Sequence, residues 1–296
     1  MAITLTLTNV DSKATSINIY RSIGTPVSAV NPGTPYATIA PAATWTDTDV
    51  VNYNVYHYRV EVSDGINKTI SDNQMVGYYP DSGPGNNTVR RGDWVSGWMD
   101  ELSADQFITG ADLLAWIQAQ GVTFSSTLQA SITQWAKVVH RGKVLMIPNN
   151  YIGSTSWVNV YNGGLLYGTN DMGAHPVITG LVEKNQRKTI QVKGNTYIVR
   201  TLRGTLDDSV YYPAATVAAL LDSENALTRV RLCDDGTGAV GLPRFSDYNA
   251  SSMNTILATA ITAGAVCVGT TNGGVTNVAA TANTSWLPIL ELAPGL

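Results

Sequence analysis

Residues 3–8, Ile-Thr-Leu-Thr-Leu-Thr, alternate aliphatic and hydroxyl side chains without a break. In an extended chain that period of two puts every aliphatic residue on one face, so the segment predicts a strand with one buried side. The same period returns in Ser-Ile-Asn-Ile-Tyr-Arg-Ser, residues 16–22, with Ile17, Ile19 and Arg21 on one side. It returns again in residues 53–62, where Tyr56, Tyr58, Val60 and Val62 share a face and His57, Arg59 and Glu61 occupy the outward one. Residues 43–50, Ala-Thr-Trp-Thr-Asp-Thr-Asp-Val, give a further strand behind a loop rich in Pro and Gly. Short strands at this spacing predict a small Ig-like β-sandwich.

The pattern changes after residues 78–89, Tyr-Tyr-Pro-Asp-Ser-Gly-Pro-Gly-Asn-Asn-Thr-Val, whose composition is that of a linker. A domain boundary is therefore expected near residue 85. Beyond it, Ser103 with Gln106 has the capping-box form. Thr109 precedes Leu113, Leu114, Trp116 and Ile117, with Asp112 in the first turn and Gly121 as a stop, which predicts a helix. Residues 125–139 predict a second amphipathic helix, with Leu128, Ile132, Trp135 and Val138 or Val139 on one stripe. Strands are expected again at 144–147, 156–168 and 188–204, the last turning at Lys193, Gly194 and Asn195, whose Gly-Asn pair reads as the hairpin turn. A third helix starts at Pro213 and breaks near Ser223. The final run, Ser-Trp-Leu-Pro-Ile-Leu-Glu-Leu at 285–292, reads as a strand with Trp286, Pro288, Leu290 and Leu292 on one face and Leu287, Ile289 and Glu291 on the other. Pro288 lacks an N–H, which points to an edge or a bulge. Apolar residues on both faces predict a strand covered on both, closing the core of an α+β second domain.

Composition sharpens this picture. Charged residues make up only 14% of the 296-residue chain, where about a quarter is usual. Thr, Ser, Asn and Gly replace them, giving a surface like those packed against neighbouring proteins. The net charge of −4 with no long basic run argues against nucleic acid as a partner. Cys233 and Cys267 stand outside any CxxC spacing, so neither a metal site nor a disulfide framework is expected. No signal peptide opens the chain and no segment approaches eighteen apolar residues, so the expectation is a soluble protein made in the cytoplasm without membrane insertion.

Candidate chemistry is sparse. Arg91-Gly92-Asp93 abuts Trp94 and reads as a Gly turn leading into a packed segment. Asp234 and Asp235 lack the ligand spacing of a calcium loop and read as a solvated turn. Asp171 and His175 could serve acid-base chemistry, but the other histidines, His57 on an outward strand face and His140 at a helix end, supply no set around them. No catalytic residue, cofactor or metal ligand is assigned. Tyr151, Trp157 and Tyr161, and separately Tyr211 and Tyr212, form aromatic clusters suited to a protein interface or to stacking on a glycan.

Two stretches resemble known proteins. Residues 17–27, Ile-Asn-Ile-Tyr-Arg-Ser-Ile-Gly-Thr-Pro-Val, together with residues 35–65, resemble a fibronectin type III module of the kind carried by bacteriophage virion proteins. The marks are the Ile-Tyr-Arg-Ser strand with Tyr20, the Thr-x-Thr-Asp corner with Trp45 and Asp47, and the Tyr-x-Tyr-x-Val strand of Tyr56, Tyr58 and Val60. Too few residues precede Ile17 for the usual two strands, so such a module lacks its first strand or borrows one from a neighbouring chain. Residues 142–171, 192–204, 221–230 and 285–292 resemble the C-terminal region of phage structural proteins, whose closing strand, here Trp286, Pro288 and Leu290, is similar to that of C-type-lectin-like folds. The resemblance implies a mainly β protein: a fibronectin III-like sandwich, residues 1–84, then an α+β virion domain, residues 85–296. It implies a non-enzymatic part of the virion, at the neck or collar, tail fibre or head, binding other virion proteins as a symmetric homo-oligomer. The alternative is an adhesin whose C-terminal domain holds a host surface glycan. A depolymerase would need paired carboxylates, and the sequence offers no such pair.

Overall fold

The computed structural model describes residues 2–8, 10–173, 178–203, 255–262, 265–269 and 275–293. Within them the protein is mainly β, built of several antiparallel sheets with two α-helices. The chain separates into two compact units, Met1–Ser82 with Asp93–Val95, and Gly83–Gly92 with Ser96–Leu296. The predicted helix from Pro213, the Asp234–Asp235 turn, Tyr211, Tyr212, His175 and Cys233 lie outside the described residues, as does the side chain of Cys267.

The first unit contains β1 (Ile3–Thr6), β2 (Ser16–Ile23), β3 (Ala37–Ile39), β4 (Thr44–Asp47), β5 (Asn54–Ser63), β6 (Lys68–Ile70) and β7 (Gln74–Tyr78). Strands β1 and β4 form a two-stranded sheet; the others form a five-stranded sheet in the order β3-β2-β5-β6, with β7 also on β5. Both sheets share one core of Ile3, Ile17, Ile19, Tyr56 and Tyr58, with Leu5, Leu7, Trp45, Val60 and Val62 packed around it. This is the face that the period of two marked. The opposite face of β5 is a correction: His57 is buried, at 2% exposure, not outward. The loop after β2 folds onto that face, where Arg59 Nε donates to Val27 O at 2.8 Å and Asn73 bridges Val27 N and His57 Nδ1. Burial accordingly lowers the pKa of His57.

The second unit begins with β8 (Arg91–Gly92), β9 (Ser96–Ser103), α1 (Gly110–Ala119), β10 (Ser126–Thr127), β11 (Gln134–His140) and β12 (Lys143–Pro148). It continues with β13 (Gly153–Ser156), α2 (Trp157–Gly163), β14 (Lys188–Val192), β15 (Asn195–Arg200), β16 (Thr255–Thr262), β17 (Ala265–Gly269), β18 (Val275–Ala279), β19 (Asn283–Trp286) and β20 (Ile289–Leu292). One sheet has seven strands in the order β14-β15-β20-β12-β11-β9-β8; another has six in the order β10-β13-β19-β16-β17-β18.

Helix α1 starts where its cap predicts, with Thr109 Oγ1 accepting from Asp112 N at 3.1 Å. Ser103 and Gln106 do make the capping contact, Ser103 N donating to Gln106 Oε1, but they close a turn and no helix follows. Residues 125–139 are not a helix. They give β10, a single 3₁₀ turn and β11, because Trp135–Val139 is buried on both faces in mid-sheet, where alternation is lost. Lys137 disguises that strand: its side chain is fully buried, and Nζ donates to Gly83 O and Pro84 O at 3.1 and 2.9 Å. His140 thus ends a strand, not a helix.

Residues 156–168, read as strand, hold α2. Ser156 Oγ accepts from Asn159 N at 3.2 Å, and Gly164 at φ 76° closes the helix in the left-handed region. The hairpin between β14 and β15 pairs Val192 with Asn195, so its central residues are Lys193 and Gly194, at φ 49° and 83°, and not Gly-Asn.

The last strand is two strands. β19 lies between β13 and β16 in one sheet, while β20 lies between β15 and β12 in the other. The buried Leu287–Pro288 step falls between them, so the proline occupies a break where no ladder bond is needed and neither strand is an edge. Trp286, Leu287, Ile289 and Leu290 are all buried, so the segment is covered on both faces.

Candidate functional site

Among the described residues, two clusters of charge are built into the cores. In the first unit, Asp47 at the end of β4 is 2% exposed. Arg21 of β2 donates through Nη1 to both its oxygens at 3.0 and 2.8 Å, Tyr58 of β5 donates at 2.7 Å, and Asp49 N at 3.0 Å. A carboxylate taken out of water is tolerable only when its lone pairs are filled in this way. The Arg21 guanidinium also lies 3.7 Å from the centroid of the Tyr36 ring, and Tyr36 donates to Asp49 at 2.8 Å. Trp45 stands edge-on to Tyr36 and Tyr58. Burial and the bond to Asp47 push the Tyr58 phenol well above its ordinary range, while burial opposes but does not prevent the rise that Asp47 causes in Arg21. The cluster ties β4 of one sheet to β2 and β5 of the other. Tyr58→Phe is expected to destabilise the chain by about 1.5–3 kcal/mol, the range for a hydrogen bond to a charged group, readable by urea unfolding.

In the second unit, Glu291 on β20 meets two cations. Arg200 Nε donates at 2.7 Å and Lys143 Nζ at 2.8 Å. The ladders explain the convergence: Glu291 faces Ile198 on β15 and Leu145 on β12, and Arg200 and Lys143 lie two residues away, on the same faces. Burial alone would raise the Glu291 carboxyl, but Arg200, Lys143 and Arg203 outweigh it and hold the pKa at about 2. Lys143 is pulled down by burial despite Glu291. A carboxylate held so low does not exchange protons near neutrality; it serves as a fixed anion binding three strands.

The aromatic candidates fall mostly in the core. Tyr151, Trp157 and Tyr161 are 6%, 1% and 0% exposed. Trp157 and Tyr161 stack with centroids 5.5 Å apart, and Tyr167 meets both edge-on. Trp157 and Tyr161 lie on α2 and Tyr151 ahead of β13, and all three are buried, so they are not a surface platform, which corrects the interface or glycan reading of those residues. Among the residues expected to be structural, Tyr20, Tyr56, Tyr58, Trp286, Pro288 and Leu290 are buried, while Trp45 and Val60 are half-buried against the first core. Asp171 accepts from Thr169 Oγ1 and from Gly173 N, bracing its own turn.

At the surface, Arg90, Arg91, Trp98, Asp100 and Glu101 line a groove of about 290 Å³. It is lined by two cations and two carboxylates: Arg90 Nη1 lies 3.8 Å from Asp100 Oδ1, and Asp100 Oδ2 is engaged by Asn86 N at 2.7 Å. In Arg91-Gly92-Asp93, Gly92 takes φ 74° and Asp93 Oδ1 accepts from Val95 N at 2.7 Å, a turn connecting β8 and β9. Trp94, within that turn, stacks on Tyr79 at 5.3 Å in the first unit. Among the described residues no His, Cys, Asp and Glu cluster could hold a metal ion, and no helix is long and apolar enough to cross a membrane. Searches against protein families, curated proteins and solved structures find no match to this chain.

Proposed function

We propose that the protein is a non-enzymatic structural component of a bacteriophage virion that works by binding other virion proteins and copies of itself. One observation carries the reading: the residues on which the resemblance rests meet in space. Arg21 comes from the Ile-Tyr-Arg-Ser strand, Asp47 from the Thr-x-Thr-Asp corner and Tyr58 from the Tyr-x-Tyr-x-Val strand, and together they lock two sheets over one core. On this reading the first unit is a fibronectin type III-like sandwich without its first strand, serving as docking module or spacer. The second is the α+β virion domain, and the low charge of the chain suits surfaces that spend their life against neighbours. A neck, collar, tail-fibre or head-decoration position fits it. The glycan-binding alternative loses support with the burial of Tyr151, Trp157 and Tyr161.

Peptide mass spectrometry on particles purified through successive density gradients tests the proposal. The chain is expected at a constant ratio to the major capsid protein; a chain that stays in the soluble fraction defeats the virion reading.

A further inference from the structure

Among the described residues, β1 pairs with β4 alone, so its outer edge is open. The ladder fixes what that edge presents. Leu7 N donates to Ala43 O at 2.8 Å, and the antiparallel register continues through Leu5↔Trp45 and Ile3↔Asp47. Residues 3, 5 and 7 therefore spend their backbone groups on the β4 side, and Thr4 and Thr6 turn theirs away from it. The 3.0 Å contact between Thr4 Oγ1 and Thr46 Oγ1 agrees, since side chains approach most closely at the positions without backbone bonds. Both Thr4 and Thr6 are exposed, so the outward N–H and C=O groups are within reach of another strand.

Natural sheets guard such edges with short strands, proline, lysine, bulges or inward charges. The other open edges of this unit follow that practice. β3 is three residues long between Pro35 and Pro41, β6 is three residues long and begins with Lys68, β7 runs into Pro80, and β4 carries the inward Asp47. Residues 2–8 contain no charge, proline or glycine. Their inner face is also incompletely covered: Ile3 is buried, but Leu5 and Leu7 are only half-buried against the core.

We propose that the outer edge of β1 pairs with the same edge of a second copy of this chain, about a two-fold axis through Leu5. The segment is self-complementary in that register. Thr4 exchanges backbone hydrogen bonds with the partner's Thr6, and Thr6 with the partner's Thr4. On the inner face Leu5 meets the partner's Leu5 and Ile3 meets the partner's Leu7, so an aliphatic side chain faces an aliphatic one at every position. Two two-stranded sheets become one of four strands, which is the isologous contact of a symmetric dimer. No charge in either segment opposes it. The inference stands apart from the virion reading, because it concerns the purified chain.

Sedimentation of the full-length chain over a range of concentrations is expected to show a reversible dimer. Thr6→Pro removes one outward donor per copy without touching the β1–β4 ladder, and is expected to weaken the dimer roughly tenfold or more. Circular dichroism checks that this variant folds. Leu5→Cys gives a reading that does not depend on the proline. In the proposed register the two Cys Cα atoms lie about 4.5 Å apart, within disulfide reach, so mild oxidation yields a covalent dimer far faster than the unsubstituted chain with Cys233 and Cys267 alone. Leu5→Cys cross-linking no faster than that control overturns the register. A chain that stays monomeric at every concentration overturns the dimer; if purified particles nevertheless contain it, the edge is left to a strand from a different virion protein.

Discussion

Removal of residues 285–292 abolishes cooperative folding of the second unit. The deletion takes the end of β19 from inside the six-stranded sheet and all of β20 from inside the seven-stranded one, leaving β12 and β15 facing each other across a missing strand. Each loses a ladder of backbone bonds, and the core loses Trp286, Leu287, Ile289 and Leu290, all at 1% exposure or less. Fully burying one large aliphatic side chain contributes about 1.5–3 kcal/mol, so their combined loss rivals the whole stability of a typical domain, about 5–15 kcal/mol. Trp286→Ala alone is expected to cost about 3–5 kcal/mol, since its ring stacks on Phe124 and its Nε1 donates to Thr201 Oγ1 at 3.0 Å. Far-UV circular dichroism with thermal melting reads both. A truncated chain that retains a second-unit transition contradicts the placement of this segment.

The second large effect belongs to Glu291. Glu291→Ala leaves Arg200, with no exposed side-chain surface, beside Lys143 without their shared anion, and is expected to destabilise by about 3–5 kcal/mol. Replacing Arg200 and Glu291 together by Met and Leu is expected to recover much of that loss, because the fully buried Arg200 charge goes with its anion and Lys143, whose side chain is 40% exposed, can turn to water. The pH dependence has a definite sign. The folded pKa of Glu291, about 2, lies below the ordinary carboxylate value, so between the two the unfolded chain binds more protons. The stabilisation is complete above the ordinary Glu pKa and is lost as pH falls through about 2. Urea unfolding at a series of acid pH values measures the slope, and Glu291→Gln is expected to flatten it.

Particular residues explain what could be read in advance. The first-unit strands were legible because one face of each lies on the core: Ile17, Ile19, Tyr56 and Tyr58 alternate with positions facing elsewhere. Helix α1 was legible from its Thr109 cap. β11 hides because a strand buried on both sides loses its alternation, and its Trp135 continues by accident the helical spacing of Leu128 and Ile132, which flank the 3₁₀ turn before it. α2 was misread because Val158 and Val160 alternate locally, while the cap that decides the matter is a single Ser156. His57 was placed outward because nothing in β5 reveals that the loop bearing Val27 folds over it. Pro288 signalled an interruption, but sequence cannot tell an edge from a crossing between two sheets. The Arg200–Glu291 pair was out of reach for a simpler reason: its members are 91 residues apart, joined only by the register of β15 and β20.

On the proposed function, this chain is a fixed part of a phage particle. Electron microscopy of purified particles carrying a gold-labelled antibody against the protein tests it most directly. Label is expected at one structural position, in a copy number set by the symmetry there. Unlabelled particles, with the protein recovered free from the same lysate, would contradict it.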